Sequence, residues 1–575
     1  MKSTLVLLVV SLSAIPLSAQ SEIRAPIGDY DEIHHPVEGS GGMVAAQEAV
    51  AAQVGRDLLA QGGNAVDAAV GIGFALAVTL PRAGNIGGGG FMLIHLAEGN
   101  RNIAIDYREM APQAATRAMF INDKDSVDEQ ASRYSHRVSG VPGTVRGLLL
   151  ALEKYGKLPR AKVMAPAIKL AEQGVTVTPG LSQSLQGRKH AFRNSPEAMR
   201  IFFKKDTANY LPGEILKQKD LAWSLKTISK QGAKAFYQGE IAARIADDMK
   251  KNGGLVTLAD LQGYQAVERP VLEGRFRKYT VLTMPPPSSG GVHVLQLLNI
   301  LEGFPLREMG LNSAAYIHAL AEAMKHVYAD RSAYLGDPDF VKVPIAELLT
   351  PAYAARLRSE INSDKTRPSS EIRPHDLSPY ESHETTHFSV ADKDGNAVSN
   401  TYTLNFSYGS HKVVAGTGIL LNNEMDDFSA KPGVPNAFGL LGGDANAIAP
   451  GKRPLSSMAP TMVLQDGKVL LVTGSPGGSQ IITVVLQVLL NTLEHGMNIQ
   501  DATDAPRIHH QWFPDILNLE PGISKDTQAL LIRRGHVLKA SSTMGSAQSI
   551  LVRDGRFYGA SDPRRPDALS LAVGP

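Results

Sequence analysis

The 575-residue chain contains no cysteine. That single absence removes disulfides, thiolate nucleophiles and cysteine-based zinc sites together, and it fits an oxidising compartment without requiring one. Charge of one sign is also missing. Lysine and arginine number 58 against 56 aspartates and glutamates, a net of +2 with no block of like charge. A nucleic-acid partner or an anionic membrane surface is therefore not expected. Past the N-terminus no apolar run is long enough to span a bilayer. The glycine-rich stretches hold neither a Walker lysine nor a G-x-G-x-x-G between strand and helix, so phosphate binding has little support. No internal repeat is visible.

The N-terminus is informative. Lys2 precedes an apolar run from Leu5 to Val10, extended by Leu12, Ala14 and Ile15, and Pro16 leads into Leu17-Ser18-Ala19. This reads as a secretory signal peptide, residues 1–19, cleaved after Ala19, and predicts a periplasmic or secreted protein. No cysteine near the cut suggests a lipid anchor. Hydrophobic residues make up 43% of the chain, enough for a large core.

Residues from about 20 to 40 read as an extended lead-in. Apolar spacing predicts helices over Val44–Leu59 and Ala65–Leu80, the second buried and ended by Pro81. Four glycines, Gly87 to Gly90, permit close approach of another segment. Met92–Leu96 and Ile103–Tyr107 read as a strand pair ending at Arg108. Helical patterns follow over 143–155, 161–173, 240–250, 292–301 and 313–334. Residues 360–384 read as a polar linker, and 430–454 as a long loop of the kind that forms lids. Thr461–Leu464 and Val469–Thr473 read as a hairpin, and Ile481–Leu493 as a helix.

His383 to Tyr402 supports two incompatible readings. His383-Glu384-Thr385-Thr386-His387 matches H-E-x-x-H, a zinc-protease signature that requires both imidazoles on one helical face. The local sequence favours a strand instead. Pro379 lies upstream, Thr385 and Thr386 are β-branched, and Phe388 and Val390 alternate with Ser389 and Ala391. Asp392 to Asn396 reads as a turn, with a return strand over Ala397–Leu404. In that setting Thr385 offers other chemistry. If the chain is cut after Glu384, Thr385 carries a free α-amine, which titrates near pH 7.7–8.0 and can take the proton of its own hydroxyl. The alternative is that the two threonines merely begin a strand.

TTHFSVADKDGNAVSNTYTLN, LLNNEMDDFSAKPG, KRPLSSMAPTMV and TGSPGGSQIITVVLQ resemble the small subunit of gamma-glutamyltransferases. GGNAVDAAV, AGNIGGGGFM, YREMAP and MPPPSSGG resemble their large subunit. The resemblance runs from about residue 40 to the C-terminus. It implies an α+β N-terminal-nucleophile hydrolase fold, two stacked antiparallel sheets between helical layers (αββα). It also implies autocleavage between Glu384 and Thr385 into a large subunit, 20–384, and a small one, 385–575, that together form one catalytic unit. By position, Thr385 resembles the nucleophile and Thr403 the second threonine that supports it. Arg108, Ser456 and Ser457 resemble the pocket for the substrate α-carboxylate. Asn405, Glu424 and Asp427 resemble the α-ammonium site, and Gly477 and Gly478 the oxyanion hole. One departure stands out. Many bacterial members carry Tyr in the long loop where this chain has Phe438, which can cover the pocket but cannot latch to Asn405 through a hydroxyl.

The resemblance implies no cofactor and no metal. The expected substrates are glutathione and other γ-glutamyl compounds, with water or an amino acid or dipeptide as acceptor. A glutaryl-type cephalosporin acylase is the same-fold alternative, although a glutaryl group has no α-ammonium to meet Glu424 and Asp427. A zinc peptidase using His383, Glu384 and His387, and a non-catalytic solute-binding protein, are rivals of other classes.

Overall fold

A computed structural model describes residues 34–372, 385–431, 434 and 442–574. The signal peptide, His383, Glu384 and Phe438 lie outside the described residues. The stretch that invites the zinc reading is a strand. Thr386–Asp392 pairs antiparallel with Ala397–Thr403, joined through a turn in which Gly395 takes φ +87°. Asp392 Oδ1 accepts from the backbone N–H of Asp394 at 2.9 Å and of Asn396 at 3.0 Å, closing the turn. Its Oδ2 accepts from Ala65 N at 2.9 Å, which ties the hairpin to the start of the helix Ala65–Thr79.

This hairpin sits at the centre of a seven-stranded antiparallel sheet. The strands run in the order Leu569–Ala572, Gly42–Ala46, Thr386–Asp392, Ala397–Thr403, Gly89–Leu96, Arg101–Tyr107 and Val267–Arg269. A second seven-stranded sheet has the order Val37–Gly39, Arg556–Ser561, Gln548–Arg553, Lys468–Thr473, Thr461–Gln465, Tyr279–Thr283 and Leu272–Phe276. Strands from before and after Thr385 interleave in both sheets. Phe388, Val390, Val398 and Tyr402 face one apolar core with the helices Ala49–Ala60, Ala65–Thr79 and Thr144–Tyr155. The second core joins the inner sheet faces to the helices Ser289–Leu301, Ala314–Tyr334 and Ile481–Leu493. The αββα expectation is met.

The two-residue period of a strand turns the alternate side chains inward. Thr385, His387 and Ser389 therefore point between the sheets, opposite Thr403, Thr401 and Ser399. Ser389 Oγ donates to Gln548 O at 2.8 Å and Ser399 Oγ to Thr473 O at 3.0 Å, so this polar row is bonded to the second sheet.

One expected element differs. Val44–Leu59 is not a single helix: Gly42–Ala46 is a strand, and the helix begins at Ala49. Met43 to Ala46 lie between two neighbouring strands with both faces covered, so they show no polar alternation. Glu48 separates the elements by capping the helix, accepting from Val50 N and Ala51 N at 2.9 Å each. The glycine run behaves as expected. A Cβ on Gly88 would lie 2.0 Å from the Thr403 carbonyl oxygen.

Candidate active site

Thr385 immediately precedes the central strand, only 6% exposed. Continuing the hairpin register places it opposite Thr403, and its Oγ1 donates to Thr403 Oγ1 at 3.4 Å. Thr403 Oγ1 also accepts from Asn405 N at 2.9 Å, where the chain leaves the sheet with Asn405 at φ +75°. Asn405 Nδ2 donates to Asn423 O at 3.0 Å, docking the segment that carries the acidic residues. That segment forms a short 3-10 turn, Glu424–Asp427.

Arg108 follows the strand Arg101–Tyr107 and is fully buried. Its Nη1 donates to Glu424 and its Nη2 to Asp427. Nε donates to Pro454 O at 3.2 Å, which orients the fork. Ser456 and Ser457 approach from a loop that packs on the segment before Ser289–Leu301. Ser289 N and Oγ both donate to Ser456 O at 2.7 Å. Gly477 and Gly478 close the ring between the strand Lys468–Thr473 and the helix Ile481–Leu493. Both have positive φ, +135° and +54°, and they lead a 3-10 turn into the helix.

Arg108, Thr385, Thr403, Asn405, Glu424 and Asp427 line one small cavity. Ser456, Ser457 and Gly478 line the same cavity, and Gly477 is the residue just before it. All ten candidates from Arg108 to Gly478 are thus brought together. His387 is not part of the cavity. It is buried between the sheets, its Nδ1 bonded to Thr401 Oγ1 at 2.8 Å and its Nε2 to Ser389 Oγ at 3.1 Å. Burial pushes its imidazole down to about 3. With both nitrogens occupied on a strand, it is not placed to ligate zinc.

Two charged residues at the site are not among those singled out by sequence reasoning. Arg331 lines the cavity from the helix Ala314–Tyr334, donating from Nε to Ser289 Oγ at 2.9 Å and from Nη2 to Ser457 Oγ at 3.2 Å. Glu109, next to Arg108, is fully buried with an oxygen 3.5 Å from Arg108 Nη1. Its juxtaposition with Arg108 is a signal in the sequence, but an adjacent charge pair is common on surfaces. Nothing local distinguishes Arg331 from an exposed helical arginine.

The electrostatics follow from this crowding. Glu109 and Glu424 are both buried at Arg108 Nη1. Both Glu109 oxygens and Glu424 Oε2 are buried with no protein N–H or O–H donor. Carboxylates gathered at low dielectric repel one another, which favours the protonated form within the group. Burial lifts Glu109 to about 7 despite Arg108. Burial likewise raises Glu424 and Asp427, with Arg108 opposing. Arg108 is held above its ordinary value, since Glu424, Asp427 and Glu109 outweigh its desolvation.

The sequence matches the gamma-glutamyltranspeptidase family over residues 51–572. The chain belongs to that family. It is 54% identical over 563 residues, 97% of each chain, to the glutathione hydrolase proenzyme of Escherichia coli (strain K12). Among solved structures, cephalosporin acylase from Bacillus halodurans superposes with a TM-score of 0.83 at 28% identity, covering 96% of this chain and 99% of that one. Helicobacter pylori gamma-glutamyltranspeptidase matches with a TM-score of 0.57 at 43% identity, covering 61% of this chain and 97% of that one. The chain is thus an enzyme of this hydrolase and transferase family, with the N-terminal-nucleophile fold. Membership of the gamma-glutamyltranspeptidase family leaves no support for the zinc-peptidase or solute-binding readings.

Proposed function

We propose that the protein cleaves the γ-glutamyl amide of glutathione and related compounds through a γ-glutamyl ester on Thr385. The observation that carries this is the convergence of a Thr385–Thr403 hydroxyl pair with a buried Arg108–Glu424–Asp427 cluster in one cavity.

The chain first cuts itself between Glu384 and Thr385, giving a large fragment, 20–384, and a small one, 385–575. Interleaving of their strands in both sheets keeps the fragments together. The freed α-amine of Thr385 accepts the hydroxyl proton, directly or through a water, as Oγ1 attacks the γ-carbonyl. Thr403 orients the attacking oxygen. The N–H groups of Gly477 and Gly478 face the developing oxyanion. Collapse of this intermediate breaks the C–N bond, and the proton passes from the α-amine to the leaving amine. Water or an acceptor amino acid or dipeptide then attacks the ester and restores Thr385. Glu424, Asp427 and Asn405 accept from the substrate ammonium, and Arg108, Ser456 and Ser457 donate to its carboxylate.

The acidic pair favours a glutamyl over a glutaryl substrate, which has no cation to offer it. The N-terminal signal reading places the enzyme in the periplasm or outside the cell. No helix among the described residues is long and apolar enough to cross a membrane. The test is a denaturing gel and a product assay with glutathione, with and without a dipeptide acceptor. Wild-type protein should run as two fragments and release cysteinylglycine. Thr385→Ala should leave one inactive chain, and a split of that variant at the same bond would remove Thr385 from the processing step.

A further inference from the structure

Among the described residues, one group of side chains brings three metal-ligating atoms within 4.8 Å of one another: His318, Glu322 and His536. All three are buried, and none lines the cavity at Thr385. His318 and Glu322 stand four apart on the helix Ala314–Tyr334, so they share one face. The same spacing in the H-E-x-x-H stretch is spoiled by the strand that begins at Thr386. His536 comes from the other side of Thr385, just after the helix Lys525–Arg533. Its Nε2 lies 2.7 Å from His318 Nδ1. His318 Nε2 lies 2.6 Å from the Asn362 carbonyl oxygen, which can only accept, so in the neutral ring the proton sits on Nε2 and Nδ1 presents a lone pair. Glu322 is fixed by three donors: Thr366 Oγ1 at 2.5 Å, Arg367 N at 3.0 Å and Lys325 Nζ at 3.0 Å. A carboxylate has about four acceptor positions, so one remains.

We propose that His318, Glu322 and His536 bind a divalent transition metal of the zinc type, tying the chain before Thr385 to the chain after it. Two imidazoles and one carboxylate suit zinc, cobalt or nickel, whereas calcium and magnesium prefer oxygen ligands throughout. Three protein ligands leave a fourth position to water. The contact of His318 with Asn362 O is the outer bond that orients a ligating imidazole, and the donors to Glu322 hold the carboxylate in the same way. With the proton of His536 on Nδ1, both facing nitrogens present lone pairs, and a cation between them replaces the hydrogen bond. Zinc sits about 2.0–2.1 Å from nitrogen, so tetrahedral ligands stand about 3.3 Å apart and the two rings must part by about 0.6 Å. His536 has room for that shift, because its neighbours Gly535 and Val537 are exposed. The local charge also admits the ion. Lys325 is matched by two carboxylates, Glu322 at 3.0 Å and Asp515 at 3.3 Å, which leaves this buried group one negative charge in excess. Arg534 also repels positive charge at His318, but it is half-exposed and screened by solvent.

The test uses untagged protein freed of metal with EDTA. Zn2+ and Co2+ are then titrated in, with binding followed by calorimetry and, for Co2+, by visible absorption. Wild type should take up one strongly bound ion per molecule, and Co2+ should give the intense visible bands of a four-coordinate site. The unfolding midpoint should rise with free Zn2+, as for any ligand that binds only the folded state. His536→Gln keeps a polar side chain and removes the second imidazole. It should weaken Zn2+ by more than the roughly ten- to hundredfold that loss of an outer-shell partner costs, and its midpoint should no longer respond to Zn2+. In EDTA it should unfold near the wild-type midpoint. Equal binding by His536→Gln, or no ion held by wild type in the micromolar range, would overturn the proposal and leave the two rings a hydrogen-bonded pair. If His536→Gln does not fold, the wild-type stoichiometry and Co2+ spectrum decide alone. Several weakly bound ions with the faint bands of six-coordinate Co2+ would mean scattered surface ligands and would equally overturn it. None of these readouts uses γ-glutamyl chemistry, so the outcome is separate from that reading.

Discussion

Glu109→Gln isolates the titration of the buried carboxyl behind the acidic cluster. The wild-type carboxyl sits fully buried beside Arg108, with neither oxygen hydrogen-bonded to a protein donor. Burial holds it at about 7, against an ordinary 4.5. That gap corresponds to on the order of 3 kcal/mol of differential stability between pH extremes. Below pH 4.5 the carboxyl is protonated in both folded and unfolded chains, and no cost arises. Between about 4.5 and 7 the folded state retains a proton that the unfolded state has released, so this group's contribution to stability declines as pH rises. Above about 7 both are ionised and the full cost is present. An amide donates permanently and does not titrate, so Glu109→Gln should abolish this slope. The assay is urea unfolding of processed wild-type and variant protein at pH 5, 6, 7 and 8. The free energy of wild type relative to the variant should fall steadily over that range, by a large part of 3 kcal/mol. Titrating groups remote from the cluster are common to both proteins and cancel in the difference, while Glu424, raised in part by Glu109, moves toward its ordinary value in the variant and adds to the same trend. A difference independent of pH would mean that Glu109 is ionised and solvated in the folded enzyme, and the argument for a raised carboxyl would be wrong.

Asp427→Ala should raise KM for γ-glutamyl amides about ten- to a hundredfold, from loss of a charged acceptor worth about 1.5–3 kcal/mol; steady-state kinetics with an unchanged KM would take Asp427 out of the ammonium site. Gly88→Ala should block formation of the two fragments on a gel, because the new methyl would press on the Thr403 carbonyl at 2.0 Å and displace the strand opposite Thr385. Normal processing of that variant would show that the strand can shift without cost to the site. Phe438→Tyr should alter the ratio of transfer to hydrolysis while leaving autocleavage intact, since an added hydroxyl contributes one hydrogen bond of about 0.5–1.5 kcal/mol to loop closure. Identical rates and ratios would leave Phe438 without a gating role.

Much of this protein is legible in its amino-acid sequence. The alternation from Phe388 to Ala391 and the Asp-Lys-Asp-Gly-Asn turn favour a strand over a helical zinc motif, because side-chain period is a local property of the backbone, and the structure has that strand. The resemblance picks out ten candidate residues from distant stretches of the chain, nine of which line the cavity. The helix-strand boundary at Ala46 is not legible, because a strand buried on both faces loses the alternation that identifies it. The ionisation of the site is decided only by tertiary structure. Arg108 is neutralised by Glu424 and Asp427 from more than 300 residues away, Glu109 is buried beside it with neither oxygen hydrogen-bonded, and Arg331 is buried on the hydroxyls of Ser289 and Ser457. Charge state at low dielectric depends on what lies within a few ångströms in space. The sequence names each ionisable group, and folding alone decides which of them are left facing the substrate.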